Sequence, residues 1–250
     1  MIKVSDIEYK ADLLLDLYLP EGHEFDLFIY LHGGGLENGN RGGVGVFAKT
    51  LAKRGIATAS VDYRLYPTAK YPEFLEDSAD AVRWLFDHIA EYGRCRRFYL
   101  GGSSAGGYLS MMLCFDGRYL ARVGLAPTDI AAYIHDAGQP TTHFNVLRER
   151  GLDTRRVVVD EAAPLFHVGA AERYSPMLFL VSDNDMAGRY EQTLLTVRTL
   201  RGFGHTEGIA LSVEHGTHCH YTYAVDEDGE GVLARRIITF LEGVEKTHEV

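Results

Sequence analysis

Three groups of residues in this 250-residue chain could together carry out acyl transfer. His32-Gly33-Gly34-Gly35 is a glycine-rich loop whose backbone N–H groups can be aimed at an oxyanion, and each such donor is worth roughly 3–4 kcal/mol of transition-state stabilisation. Gly102-Ser103-Ser104-Ala105-Gly106 fits G-x-S-x-G, which sets its central serine on a sharp strand-to-helix turn with room for an approaching carbonyl. Ser104, unlike Ser103, has glycines two positions away on both sides. Serine attack at neutral pH needs a base to take the proton and a carboxylate to orient that base. Asp183 and Asp185 offer the carboxylate; His215, His218 and His220 offer the imidazole.

These groups depend on the elements that carry them. Apolar stretches bounded by turn residues recur along the chain, each followed by a helical pattern, which predicts an α/β fold with a mostly parallel sheet and crossover helices. Strands are expected at 11–19, 25–31, 56–61, 98–101, 123–126, 177–181 and 209–213, and helices at 44–54, 73–92, 105–115, 190–201 and 232–242. In the 73–92 helix the apolar residues Phe74, Ala81, Val82, Leu85 and Ile89 fall close to helical spacing. Ser104, the two aspartates and the three histidines then follow separate strands, at the edge where open α/β sheets build their sites. From about 129 to 164 the strand-helix rhythm breaks for longer than a simple loop allows, so this stretch is expected to form a short cap on a single domain spanning 1–250.

Composition narrows the partners. A hydrophobic fraction of 46% supports a large core, and a net charge of −10 argues against nucleic acid or an anionic membrane as partner. The one basic cluster, Arg94, Arg96 and Arg97, reads as a solvated helix-to-strand connection. Cys95, Cys114 and Cys219 are odd in number and widely spaced, which fits a reducing, cytoplasmic setting. The first twenty residues hold four acidic residues and no long apolar run, so neither a signal peptide nor a membrane span is expected. With no HExxH, CxxC, P-loop or GxGxxG pattern, neither metal nor cofactor is expected.

The blocks "LFIYLHGGG", "ASVDYRLYPTAKYPEFLEDSADAVRWL" and "FYLGGSSAGGYLSMML", in that order, resemble the α/β-hydrolases, and within them the hormone-sensitive-lipase-like and acetyl-esterase-like carboxylesterases. The resemblance implies the α/β-hydrolase fold and the chain order Ser, then Asp or Glu, then His. It favours Asp185 as the acid, because "FLVSDNDM" is similar to the family's strand-then-G-x-x-D turn with Ser182 in the glycine position; Asp183 stays a rival, with capping of the turn as its other role. It favours His218 as the base, on the small-residue turn Gly216-Thr217-His218, with His215 and His220 as rivals. By the same resemblance Gly34, Gly35 and Ala105 would donate to the oxyanion, His32 would shape their loop, and Asp62-Tyr63-Arg64 with Asp77 would support loops around the nucleophile. Insertions after the strand expected at 123–126 lie over the nucleophile in that fold, so Tyr133, His135, His143 and Phe144 are expected either to line the substrate pocket or to pack the cap on the main domain.

The implied activity is that of a serine hydrolase cleaving small-molecule carboxylic esters of small to medium acyl length through an acyl-enzyme, since no apolar lid helix suited to a lipid interface is evident. An amide hydrolase of the arylformamidase or peptidase type would use the same groups. A catalytically silent binding protein of this fold is the reading from another class, as fold does not fix function. Acyl and alcohol preference, and a homodimer, stay open.

Overall fold

The run Ile56-Ala57-Thr58-Ala59-Ser60-Val61 is buried at every position, the pattern of a strand covered on both faces, and it forms β4 (Ile56–Val61). The computed structural model describes residues 1–248. The other strands are β1 (Ile2–Lys10), β2 (Leu13–Leu19), β3 (Glu24–Leu31), β5 (Arg94–Ser103), β6 (Ala132–Asp136), β7 (Met177–Asn184) and β8 (Ile209–Thr217). They form one sheet in the order β1-β2-β4-β3-β5-β6-β7-β8. β2 pairs antiparallel with both β1 and β4, and every other neighbouring pair is parallel.

Helices cover both faces. On one, α1 (Gly45–Ala52) and α8 (Val232–His248) bring Phe47, Leu51, Leu233 and Ile237 against Phe28, Tyr30 and Ile134. On the other, α2 (Glu73–His88), α3 (Ala105–Phe115) and α7 (Arg189–Gly202) bring Val82, Leu85, Tyr108, Met112 and Leu200 against Leu17, Ile29 and Leu100. All residues of α3 are buried, as expected for a helix that is apolar all round and enclosed between the sheet and its neighbours. Three short helices, α4 (Arg118–Arg122), α5 (Phe144–Glu149) and α6 (Pro164–His167), lie between β5 and β7 in the chain. No helix among the described residues is long and apolar enough to cross a membrane.

Two expectations about the strands need correction. The strand expected at 123–126 is a turn: Gly124 has φ +75°, and the N–H groups of Val123 and Leu125 both turn back to the carbonyl of Leu120. The strand that pairs with β5 is β6, so the stretch expected to be a cap from 129 onward begins inside the sheet. β1 has no counterpart among the strands expected from sequence, because an edge strand with one covered face alternates weakly, and most of its residues are exposed.

The parallel topology brings the C-terminal ends of β3, β5, β6, β7 and β8 to one edge. His32, Ser104, Ala137, Asp185 and His218 begin the segments that leave those ends.

Candidate active site

Ser104 is the single residue between β5 and α3, held at φ 54° and ψ −112°. A non-glycine residue is strained there, and such strain persists only where the surroundings enforce it. They do: the Ser104 N–H donates to the carbonyl of Asp136 at 2.8 Å, and the turn is pressed onto the end of β3. A Cβ on Gly106 would stand 1.9 Å from the Leu31 carbonyl oxygen, so only glycine permits this approach. The strained turn leaves the serine hydroxyl pointing out of the sheet edge.

The Ser104 hydroxyl lies 2.8 Å from His218 Nε2, and His218 Nδ1 lies 2.6 Å from Asp185 Oδ1. With Nδ1–H donating to the carboxylate, Nε2 is left to accept the serine proton. The Asp185 side chain is fully buried and also accepts the N–H of Met186 at 2.7 Å. Burial opposes its ionisation, but the hydrogen bond and charge of His218 outweigh that and hold the carboxyl below its ordinary value. The arrangement can abstract a proton from serine and stabilise the resulting imidazolium.

The rival residues are placed elsewhere. Asp183 pairs with His215 at 2.6 Å and caps the turn through the N–H of Gly216, and the His215 side chain is 94% exposed. His220 turns back to the carbonyl of Thr217 and to Ser182.

Opposite the serine, Gly34 has φ +115°, and a Cβ there would stand 2.0 Å from the Asn38 carbonyl oxygen. Its own carbonyl accepts the N–H groups of Glu37 and Asn38, closing a tight turn. Among the described residues no acceptor takes a hydrogen bond from the N–H of Gly34 or Gly35. Ala105 opens α3, so its N–H has no partner in the helix's first turn. The helix's positive end adds to any field favouring an anion beside Ser104. The loop is braced from behind: His32 donates from Nδ1 to the Gly33 carbonyl at 2.7 Å and stacks on Tyr63, whose hydroxyl donates to the His32 carbonyl at 2.8 Å. Burial lowers the pKa of His32, so it stays a neutral scaffold.

A cleft of about 520 Å³ opens over these groups, walled by Gly34, Gly35, Ser104, Phe144, Met186, His218 and Tyr223. Phe144, at the start of α5, presses its ring on Gly35, where a Cβ would meet it at 3.0 Å. Tyr133 and His135 do not reach the cleft. Both lie on β6 with side chains in the core, because the segment expected to be cap is a central strand there. Tyr133 donates to the Pro127 carbonyl; His135 bonds Ser110 and packs on Phe115 and Phe179, and burial pushes its pKa down to about 3. His143 is buried as well and accepts the N–H of Asn145 at the start of α5.

Sequence reasoning missed Asn145, which donates to the Gly35 carbonyl at 3.1 Å, and Met186, Cys219 and Tyr223 in the cleft wall. Met186 and Cys219 each directly follow a chosen catalytic residue, and that adjacency was the available signal.

The same architecture is found in a thermophilic esterase, Est2, from Thermogutta terrifontis, with a TM-score of 0.72 over 96% of this chain and 89% of that one, at 22% identity. The chain has the α/β-hydrolase fold. The BD-FAE family model matches the chain over residues 15–122. A probable isoprenylcysteine alpha-carbonyl methylesterase of Oryza sativa subsp. japonica is 32% identical over 99 residues, which is 38% of this chain and 23% of that protein. The carboxylic ester hydrolase LipN of Mycobacterium tuberculosis is 33% identical over 121 residues, 47% of this chain and 32% of that one. The chain thus spans about a third or less of the length of these relatives.

Proposed function

We propose that this protein, with its α/β-hydrolase fold, is a serine esterase acting on small-molecule carboxylic esters of small to medium acyl length. The carrying observation is the chain of contacts Ser104–His218–Asp185, at 2.8 Å and 2.6 Å. In this reading Ser104 Oγ attacks the ester carbonyl while His218 Nε2 takes its proton. The N–H groups of Gly34, Gly35 and Ala105 receive the oxyanion. His218 then delivers the proton to the leaving alcohol, and water, deprotonated by the same imidazole, attacks the acyl-enzyme and regenerates the serine. Asp185 keeps the imidazole in the required tautomer and stabilises its charged form.

The acyl preference rests on the cleft. Its walls are mainly apolar, and Phe144 closes in on the oxyanion loop, which leaves limited length beside Ser104. The related Thermogutta esterase has been seen with propionate and with butyrate, and phosphonylated by sarin, the behaviour of a serine hydrolase. We read the chain as one hydrolase domain in which the stretch after β6, rather than the whole of 129–164, serves as the cap. The three free cysteines are the support for a cytoplasmic setting.

Turnover of p-nitrophenyl acetate, butyrate and octanoate by the wild type and by Ser104→Ala tests the reading, with matched anilides as amide competitors. Ester turnover lost in the variant supports it. Preferential anilide cleavage would move the assignment to an amide hydrolase, and octanoate far above butyrate would overturn the acyl preference.

A further inference from the structure

One buried carboxylate near the reacting groups has no part in the steps above. Asp136 ends β6 and is 1% exposed. Its Oδ2 accepts from the Ser103 hydroxyl at 2.5 Å and from the Thr222 hydroxyl at 3.2 Å, and its Oδ1 accepts from the Tyr221 hydroxyl at 2.6 Å. Its backbone carbonyl accepts the N–H of Ser104 at 2.8 Å. Tyr30 of β3 extends the network by donating to Ser103 Oγ at 3.0 Å. Ser103 immediately precedes the serine, and Tyr221 and Thr222 follow His218 by three and four residues. A single residue therefore grips both the nucleophile turn and the segment that carries the imidazole.

No lysine or arginine bonds this carboxylate among the described residues; its side-chain partners are three neutral hydroxyls. Burying a charge without a cation is costly, and a neutral side chain could fill the space without that cost. What a carboxylate adds is two acceptor oxygens that take three donors from two different segments at once. Loss of this acceptor would let the histidine segment shift relative to Ser104, and a displacement near 1 Å costs on the order of 10²-fold in rate.

We propose that Asp136 is a positioning residue that holds the His218 segment in register with Ser104. The proposal rests on the serine-esterase reading, and it assigns Asp136 no contact with substrate. Tyr221 lies outside the cleft wall, so Tyr221→Phe removes one hydroxyl from the network without altering the surface offered to substrate.

The test compares wild type, Asp136→Asn, Tyr221→Phe and the double variant, with kcat and KM on p-nitrophenyl butyrate. The proton NMR resonance of His218 Nδ1–H, shared with Asp185, is followed in parallel. Each single variant, still folded by circular dichroism, is expected to lose about 10-fold or more in kcat while KM stays within about threefold, and the double variant is expected to be no worse than Asp136→Asn. The downfield His218 proton is expected to broaden or move in both. Unchanged kcat together with an unchanged resonance would overturn the proposal, as would a rise in KM at constant kcat. A wild type without ester turnover would sink the esterase reading instead, and the NMR comparison alone would then decide the role of Asp136.

Discussion

Asp183 and His215 form a second carboxylate–imidazole pair, 2.6 Å apart, at the same sheet edge as Asp185 and His218. The two pairs differ in burial. The Asp185 side chain is fully buried and the His218 side chain is 24% exposed, whereas those of Asp183 and His215 are 40% and 94% exposed. Only the buried pair reaches a serine. Asp185→Asn is therefore expected to lower kcat by on the order of 10⁴-fold by favouring the wrong imidazole tautomer, while Asp183→Asn and His215→Ala change it less than about threefold. Steady-state kinetics on one ester check this; comparable losses in both pairs would contradict it.

Arg64 supports the site indirectly. Its guanidinium bonds both oxygens of the fully buried Asp77, at 2.7 and 2.9 Å, and Lys10 reaches the same carboxylate at 2.7 Å. Breaking a buried pair costs about 3–5 kcal/mol, but the Arg64 side chain is 34% exposed and Lys10 remains, so Arg64→Ala is expected to cost about 1–3 kcal/mol and to reduce activity. Burial opposes ionisation of Asp77, but the hydrogen bonds from Arg64 and Lys10 outweigh it and hold the carboxyl below its usual value. A lowered pKa contributes stability above the unfolded value of about 3.9 that is lost as pH falls through the folded value. The Tm difference between wild type and variant should thus be widest near neutral pH and narrow below about pH 4.

Phe144 limits the reach of the cleft. Removing its ring from Gly35 in Phe144→Ala lengthens the apolar wall, and the octanoate-to-butyrate ratio of kcat/KM is expected to rise about 10-fold, within what a few methylenes supply. An unchanged ratio would place the acyl chain elsewhere.

Asp136 should leave a signature in stability as well as in rate. Burial pushes its carboxyl up to about 6, against the hydrogen bonds from Ser103, Tyr221 and Thr222. A pKa raised on folding contributes stability that is present below about pH 4 and lost as pH rises through the folded value, on the order of 3 kcal/mol in all. Asp136→Asn lacks that loss, so its Tm relative to wild type should rise between about pH 4 and 7. The other titratable groups facing Asp136 are His218, Cys219, Tyr30, Tyr221 and Tyr223; all are common to both proteins, so the difference isolates this carboxyl.

Residues that had to be buried on both faces were legible from sequence. β4 and α3 match the expected 56–61 and 105–115, because runs of apolar and small residues, broken only by Thr58, Ser60 and Ser110, leave few alternatives. Ser104 stands out by its spacing between Gly102 and Gly106, while Asp185 and His218 are favoured over their neighbours only by the family resemblance; the structure brings the three into contact. β6 was misplaced by Val123 and Leu125, whose strand-like side chains sit in a turn forced by Gly124. Tyr133 and His135 were misread because the contacts that hold them in the core, Tyr133 hydroxyl to the Pro127 carbonyl and His135 Nδ1 to the Ser110 hydroxyl, are displayed by no local pattern. The Asp136 network was hidden for the same reason: its hydroxyl donors lie 33, 85 and 86 residues away in the chain.

Everything proposed for the cleft depends on covalent acylation of Ser104. The direct measurement is to treat the folded protein with a fluorophosphonate, digest it and locate the adduct by mass spectrometry, alongside the pre-steady-state burst with p-nitrophenyl butyrate. One adduct per chain on Ser104, absent in Ser104→Ala, and a burst close to one equivalent are expected. An adduct on another residue, or ester turnover that survives in Ser104→Ala, would contradict the serine-esterase reading.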